Sequence, residues 1–576
     1  MSKVVGDHLL CTSDAIMFKH TYAGTTYVVG ARIADGTLIE YVTDADTTLN
    51  SILTYLNGIG GGKLYVDSES YDCDSQHTMI TDLSIIGAGE QATIFNVTAN
   101  VNFFYIGAGG VNNVTISSLR IVLTNAPSAG NTRAIFFLAG SSWRIENVKV
   151  IDATDSAGGT SGGIVIGNYG AAAGTVTDAW VINCVCDGRG TRNFGPSGWY
   201  GVNGGWCLHS RFKARDSGVA INAAFKMSMD FHRSECVKVA DCIIELGHHN
   251  GVFFDGTSSN TFYCEDISFV DCTIRNNGDD AFDSNFDKDI TVLGCVFKGN
   301  ELDCVTFEDG CTNGRVIGCK LDTRKIWISA CTWVVIADNQ LYRATSGTIG
   351  IHILASSYQV TITGNTIRGC ITGISIENSA RVTARGNIID VIDYQRTCIY
   401  VNNSTRCIFI GNELLGSTSS QIYALQEIGS SDYNIFVWNI FWTLDGDDFY
   451  GKFVGANTVV QDNFGERIRD QDGTMTGVAG TRFTYDRESG QVTGINTAAV
   501  ARVTAAVTYH TRFPTGVIPK VLVTLQDVDA AVRIDTVQVD TVTETGFNYA
   551  IYVSTAQGAT TCKLNWEARP THRMYD

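Results

Sequence analysis

Residues 276–283 read NNGDDAFD, which sets three carboxylates, Asp279, Asp280 and Asp283, within five positions. Two such charges ~5 Å apart at an effective dielectric near 20 repel by about 3 kcal/mol, enough to raise one pKa by about two units. One carboxyl then keeps a proton while its neighbour stays an anion, the pairing that acid–base cleavage of a glycosidic bond requires. Other acids fall in step. Counted from a small residue that recurs along the chain, position +8 is Asn250, Asp280 and Asp303, +11 is Phe253, Asp283 and Thr306, and +13 is Asp255, Asn285 and Glu308. Period-two alternation puts +8 on the face of the apolar +10 residues Val252, Phe282 and Val305 and turns +11 and +13 outward. Asp283, Asp255 and Glu308 are therefore expected to be exposed, and Asp280 and Asp303 to point inward at a turn. His248 and His249 stand one repeat earlier, where an imidazole could share the proton traffic.

The stretch RGTRNFGPSGWYGVNGGW (189–206) reads as a glycine-rich loop presenting Phe194, Trp199, Tyr200 and Trp206. Exposed rings at that density suit the apolar faces of sugars; the alternative is that they pack the loop down. Arg324 and Lys325, one repeat past the acids, are candidates to hold a substrate or to act as the base of an elimination. No metal ligand set is expected, since no Cys/His cluster has zinc spacing. No cofactor is expected either. Calcium on Asp279, Asp280 and Asp283 is the one alternative, although their spacing is not that of a calcium loop.

What positions these residues is a repeat. A small or polar residue, then Cys or Asn, any residue, then an apolar one recurs as NCVC, DCII, DCTI, GCVF, GCKL, DNQL, GNTI, GNII, GNEL and WNIF. With Ser210 filling one gap, the marked residue falls at 184, 210, 242, 272, 295, 319, 339, 365, 387, 412 and 439. Short alternating strands between Gly/Asn/Asp turns at this period predict a solenoid of two or three strands per coil. Stacked coils align equivalent residues, so the cysteines form an internal column of free thiols and the asparagines a turn ladder. Upstream, residues 44–73 predict an amphipathic helix with Asp46 as N-cap and a stop at Gly58–Gly62, plugging the first coil.

That helix, GGGKLYV (60–66), LSIIGAG (83–89) and the coils resemble the pectate-lyase-like superfamily of right-handed parallel β-helices, which includes polysaccharide lyases, hydrolases, epimerases and viral tailspikes. NNGDDAFDS resembles the N-x-D-D motif of polygalacturonase-type hydrolases, which implies catalytic roles for Asp279 and Asp280. Asn250 stands where that family has a third aspartate, and LDCVTFED lacks its G-H-G histidine. Beyond the coils, PKVLVTL, VTETGF and WEA resemble the H-type lectins, trimeric sugar binders, with Arg533 as a sugar-contact candidate.

The expected fold class is all-β: a 1–43 attachment segment, a β-helix over 44–465, a linker over 466–495 and an antiparallel β-sandwich over 496–576. A net charge of −18 with pI near 5.0 disfavours nucleic acid as a partner, and no run is apolar enough to insert in a membrane. With no signal peptide recognised, the resemblance implies a virion tailspike, homotrimeric and attached through its N-terminus, that binds a cell-surface polysaccharide. Whether it also depolymerises the glycan is left open. The alternatives are a non-catalytic adhesin or structural fibre, and a secreted carbohydrate-active enzyme such as a lyase or epimerase.

Overall fold

The computed structural model describes residues 14–569 apart from 125–130, 153–159, 170–174, 189–193, 216–226, 257–262, 323, 343–348, 393–396, 418–421, 444–448, 456, 462, 466–467, 471–487, 497–501, 509–519, 527–533, 544–545 and 554–560. From Gly62 onward the chain winds into stacked coils whose strands pair parallel with the coil before and the coil after. A typical coil has three strands, as in Thr291–Leu293, Val296–Lys298 and Val305–Glu308. The first two stack in one continuous sheet, while the third stacks in a separate sheet of sixteen strands from His77–Thr78 to Ile468–Asp470.

The recurring signature is the corner between the first two strands. The residue before each ladder position takes a left-handed backbone: φ is 53° at Asp241 and Asp271, 65° at Gly294, 56° at Asp338 and 54° at Trp438. Glycine, Asp and Asn tolerate that region best, which is why they recur there. The next side chain turns inward. Cys272, Cys295 and Cys319 donate their thiols to carbonyls of the preceding coil (Val239, Phe269 and Val292, each 3.6 Å). In the later coils the Nδ2 groups of Asn339, Asn365, Asn387, Asn412 and Asn439 each donate to the Oδ1 of the next coil's asparagine at 2.8–2.9 Å. The described cysteines are free, as the ladder reading requires. Replacing Asn387 by Ala strips acceptors from the Asn365 backbone and side-chain N–H groups and a donor from Ile362 O. At about 1–3 kcal/mol for each buried group orphaned, Asn387→Ala is expected to cost about 3 kcal/mol or more, read as a lowered unfolding midpoint.

The interior is continuous, with Phe231, Phe254, Phe282 and Phe307 descending through successive coils. Helix α1 (Ala45–Gly58) buries Leu49, Ile52, Leu53 and Leu56 over the first coil. Its N-cap is Asp44 rather than Asp46: the Asp44 carboxylate accepts from the N–H groups of Asp46 and Thr47, and Asp46, one residue inside the helix, is buried. The solenoid sheet also extends upstream of residue 44. Ala15–Tyr22, Thr25–Arg32 and Leu38–Val42 form an antiparallel meander, and Ala15–Tyr22 adds parallel to Gly62–Val66. At the other end, Glu488–Asn496, inside the segment expected to be a linker, pairs with Thr561–Arg569. The described C-terminal strands make two three-stranded antiparallel sheets.

Candidate functional site

The candidate site residues gather on the outward face of the sixteen-stranded sheet. Parallel register fixes one column of side chains as Gly198, Asp230, Phe253, Asp283, Thr306, Trp327, His352, Ser375, Tyr400 and Gln426, one per coil at ~4.8 Å spacing. Asp280 and Asp303 join it from the bends that precede their strands.

The expected parity fails at those bends. Ala281 and Phe282 are both fully buried, as are Cys304 and Val305, so alternation starts only once the strand does. Asp280 and Asp303 consequently remain half-buried and face the column, whereas Asp283, expected to be exposed, is only 8% exposed. Asn250 Nδ2 donates to Asp283 Oδ2 at 2.9 Å. Burial, together with the nearby Asp280 and Glu308 carboxylates, pushes Asp283 up to about 8. Asp280 is also raised by burial, against which it accepts two hydrogen bonds, from Asp303 N at 2.8 Å and Thr306 Oγ1 at 2.9 Å. Asp303 is raised by burial to about 7 while Lys325, 3.6 Å away, pulls it down. All of these carboxyls are thus shifted upward, and near neutral pH burial keeps a proton on Asp283.

Lys325 and Trp327 bound this acid floor on the C-terminal side. The Lys325 ammonium lies 3.5 Å from the Trp327 ring centre, and burial lowers the lysine's pKa. Trp327 Nε1 and His352 Nδ1 are buried without a hydrogen-bond partner, while His352 Nε2 lies 2.8 Å from Glu377 Oε1. Unmatched donors and acceptors beside a ring are what a polyhydroxylated ligand would satisfy. On the N-terminal side, Tyr200 donates to Asp230 at 2.8 Å. Tyr169, 59% exposed, stacks on His232 with ring centres 4.6 Å apart and donates to Asp255.

The remaining predicted residues divide. Glu308 lies on the floor's edge, half-buried, and bears on Asp283. Asp255 belongs to the Tyr169–His232 group. His249 and Asp279 pair with each other at 2.7 Å on the bends above the column, and His248 is buried. Arg324 lies close enough to Asp303 to lower its pKa. Residues 194–206 do not form a loop: Phe194–Tyr200 and Val202–Leu208 are strands. Trp199 is fully buried in the core, and Trp206 lies on the other sheet, stacked on Trp180 at 5.4 Å, so neither reaches the acids. Of these rings only Tyr200 is on the floor, and the side chain of Phe194 and all of Arg533 lie outside the described residues. Asp230, His232, Tyr169, Trp327 and His352 escaped the sequence reading. The column falls eleven residues past the ladder residue at Phe253, Asp283 and Thr306, but twenty past at Asp230 and eight past at Trp327. The number of residues between corner and column differs from coil to coil, which breaks the count.

Residues 227–389 match the family described as right-handed β-helix region, and they contain the acid cluster and its Trp327–His352 flank. The solenoid is a right-handed parallel β-helix. Among solved structures, the β-helix is similar to the tailspike gp61 of Pseudomonas phage phi297 (10% identity, 90% of this chain and 92% of that one, TM-score 0.35). It is likewise similar to the Gp54 tailspike of Acinetobacter baumannii bacteriophage AP22, in complex with a capsular saccharide (11%, 92% and 94%, 0.33). A third likeness is to the A-module of the Azotobacter vinelandii mannuronan C-5 epimerase AlgE6 (12%, 73% and 95%, 0.30). No curated protein matches the chain.

Proposed function

We propose that this protein is a tailspike-like spike that binds a cell-surface polysaccharide along the sixteen-stranded face of its β-helix and hydrolyses it at Asp283, Asp280 and Asp303. The observation that supports cleavage is the pairing of Asp283, pushed up to about 8 by burial, with Asp280, which accepts hydrogen bonds from Asp303 N and Thr306 Oγ1. In this reading Asp283 protonates the glycosidic oxygen and Asp280 activates water, the division of labour of paired carboxylates in glycoside hydrolysis. Lys325 tunes Asp303, and Trp327 offers a ring face to a sugar. Trp327→Ala is expected to weaken glycan binding by about 1–2 kcal/mol, roughly tenfold, in a titration followed by calorimetry.

Lys325 also favours a second reading. A lysine with a lowered pKa beside a carboxylate suits proton abstraction in a uronate lyase. Mass spectrometry of the products separates the two: hydrolysis adds water at the cut, and elimination leaves an ultraviolet-absorbing double bond. Full-length glycan after prolonged incubation with every polysaccharide that binds would reduce the protein to an adhesin. The two C-terminal antiparallel sheets are read as an H-type-lectin-like module, and the spike as a homotrimer attached to a virion by its N-terminus. Sedimentation equilibrium tests the trimer.

A further inference from the structure

Far from the acid floor, three potential metal ligands of different chemistry meet under the capping helix. Asp46 comes from the first turn of α1, Cys73 from the end of Ser70–Cys73, and His77 from His77–Thr78. One ligand atom from each lies within 4.8 Å of the other two. Asp46, Cys73 and His77 are 5%, 1% and 0% exposed.

We propose that Asp46, Cys73 and His77 bind a divalent transition metal of the zinc type, which fastens helix α1 to the first coil. The histidine is arranged for it. Nδ1 faces Asn50 Oδ1 at 2.9 Å, so its N–H donates to that amide and the Nε2 lone pair faces inward. Nε2 sits 2.7 Å from Asp46 Oδ1, the separation of a hydrogen bond, and a metal ion taking the place of the shared proton would spread the two atoms by about half an ångström. The other Asp46 oxygen is oriented by the N–H of Asp74 at 2.6 Å. Cys73 also differs from the ladder thiols. It is register-paired with Val97, not with another cysteine, and its sulfur meets the Asp46 carboxylate and the His77 ring. On binding, the metal replaces two protons, one from the Cys73 thiol and one from between Nε2 and Asp46, and both leave to water. Sulfur, nitrogen and oxygen in one set select zinc or cobalt over calcium or magnesium, which take oxygen alone.

The test uses the full chain purified without a polyhistidine tag, stripped with chelator and titrated with cobalt(II). One equivalent is expected to produce the near-ultraviolet sulfur-to-cobalt charge-transfer band and to raise the unfolding temperature. Cys73→Ser should lose the band, whereas Cys236→Ser, which removes an exposed cysteine on another coil, should keep it. Absence of the band in the unaltered chain overturns the proposal without any variant having to fold. A band that persists in Cys73→Ser also overturns it, by placing the metal on a different thiol.

Discussion

Asp283→Asn is expected to lower glycan cleavage by roughly 10²–10⁴-fold while leaving glycan binding within about twofold of the unaltered chain. The substitution keeps the side chain's shape, and its amide oxygen can still accept from Asn250, which donates to Asp283 Oδ2 at 2.9 Å. What it removes is the transferable proton that burial and neighbouring carboxylates maintain on Asp283 up to a pH of about 8. Initial rates of reducing-end release, set beside binding isotherms for the same glycan, check this. Loss of binding in parallel with cleavage would assign Asp283 to holding the sugar rather than to protonating it.

The pH dependence of stability is the second large effect. Burial raises Asp283 to about 8 and Asp303 and Asp287 to about 7, against about 3.9 for an unfolded aspartate. Between those limits the native state binds protons that the unfolded chain has released, so the slope of unfolding free energy with pH is negative. The contribution of these groups is fully present below about pH 4 and is lost as pH rises through 7 and 8. Each group contributes up to about 1.4 kcal/mol per pH unit inside its window. The unfolding temperature should therefore fall from pH 5 to pH 8, and fall less steeply in Asp283→Asn, with the two proteins closest at low pH. An unfolding temperature that rises over that range, or parallel curves for the two proteins, would mean that Asp283 is ionised in the native state.

Asp287 shows why a raised pKa alone does not mark a catalytic group. Its carboxyl is fully buried inside the coil, where it accepts from Cys264 N at 2.7 Å and Ser284 Oγ at 2.7 Å, beyond the reach of any glycan. Its role is in the corner. The distinction between it and Asp283, four residues earlier, is that Asp283 lies on the outward face of its strand, whereas Asp287 turns inward at the bend that follows.

That distinction also marks how far the sequence could be read. The coils were legible because each corner demands a left-handed residue followed by a small inward one, and that requirement repeats in plain view from Asn183–Cys184 to Trp438–Asn439. The acid columns were legible because three consecutive coils, from Cys242 to Cys319, hold the same count from corner to strand. Exposure was not. The bends at Asp280 and Asp303 bury two consecutive residues, which alternation cannot anticipate, and so left Asp280 facing the column, while Asp283 took the outward face expected of it but is buried there. Trp199 was misplaced for a related reason: glycines that suggested a loop instead allow two strands to pack closely, with Gly205 lying against the Trp199 ring. The Asp46–Cys73–His77 group was hidden because its members come from three elements, and reading Asp46 as the N-cap committed its carboxylate to the helix backbone, a part that Asp44 plays.

Cleavage of a bound polysaccharide by a protonated Asp283 and an acceptor Asp280 is what the proposed function requires of the β-helix face. Its most direct test is to incubate the unaltered chain, Asp283→Asn and Asp280→Asn with a panel of cell-surface polysaccharides and to follow glycan size by size-exclusion chromatography. At least one glycan is expected to be shortened by the unaltered chain and bound at full length by both variants. Equal shortening by all three proteins, or a bound glycan that the unaltered chain never shortens, would contradict the proposed function.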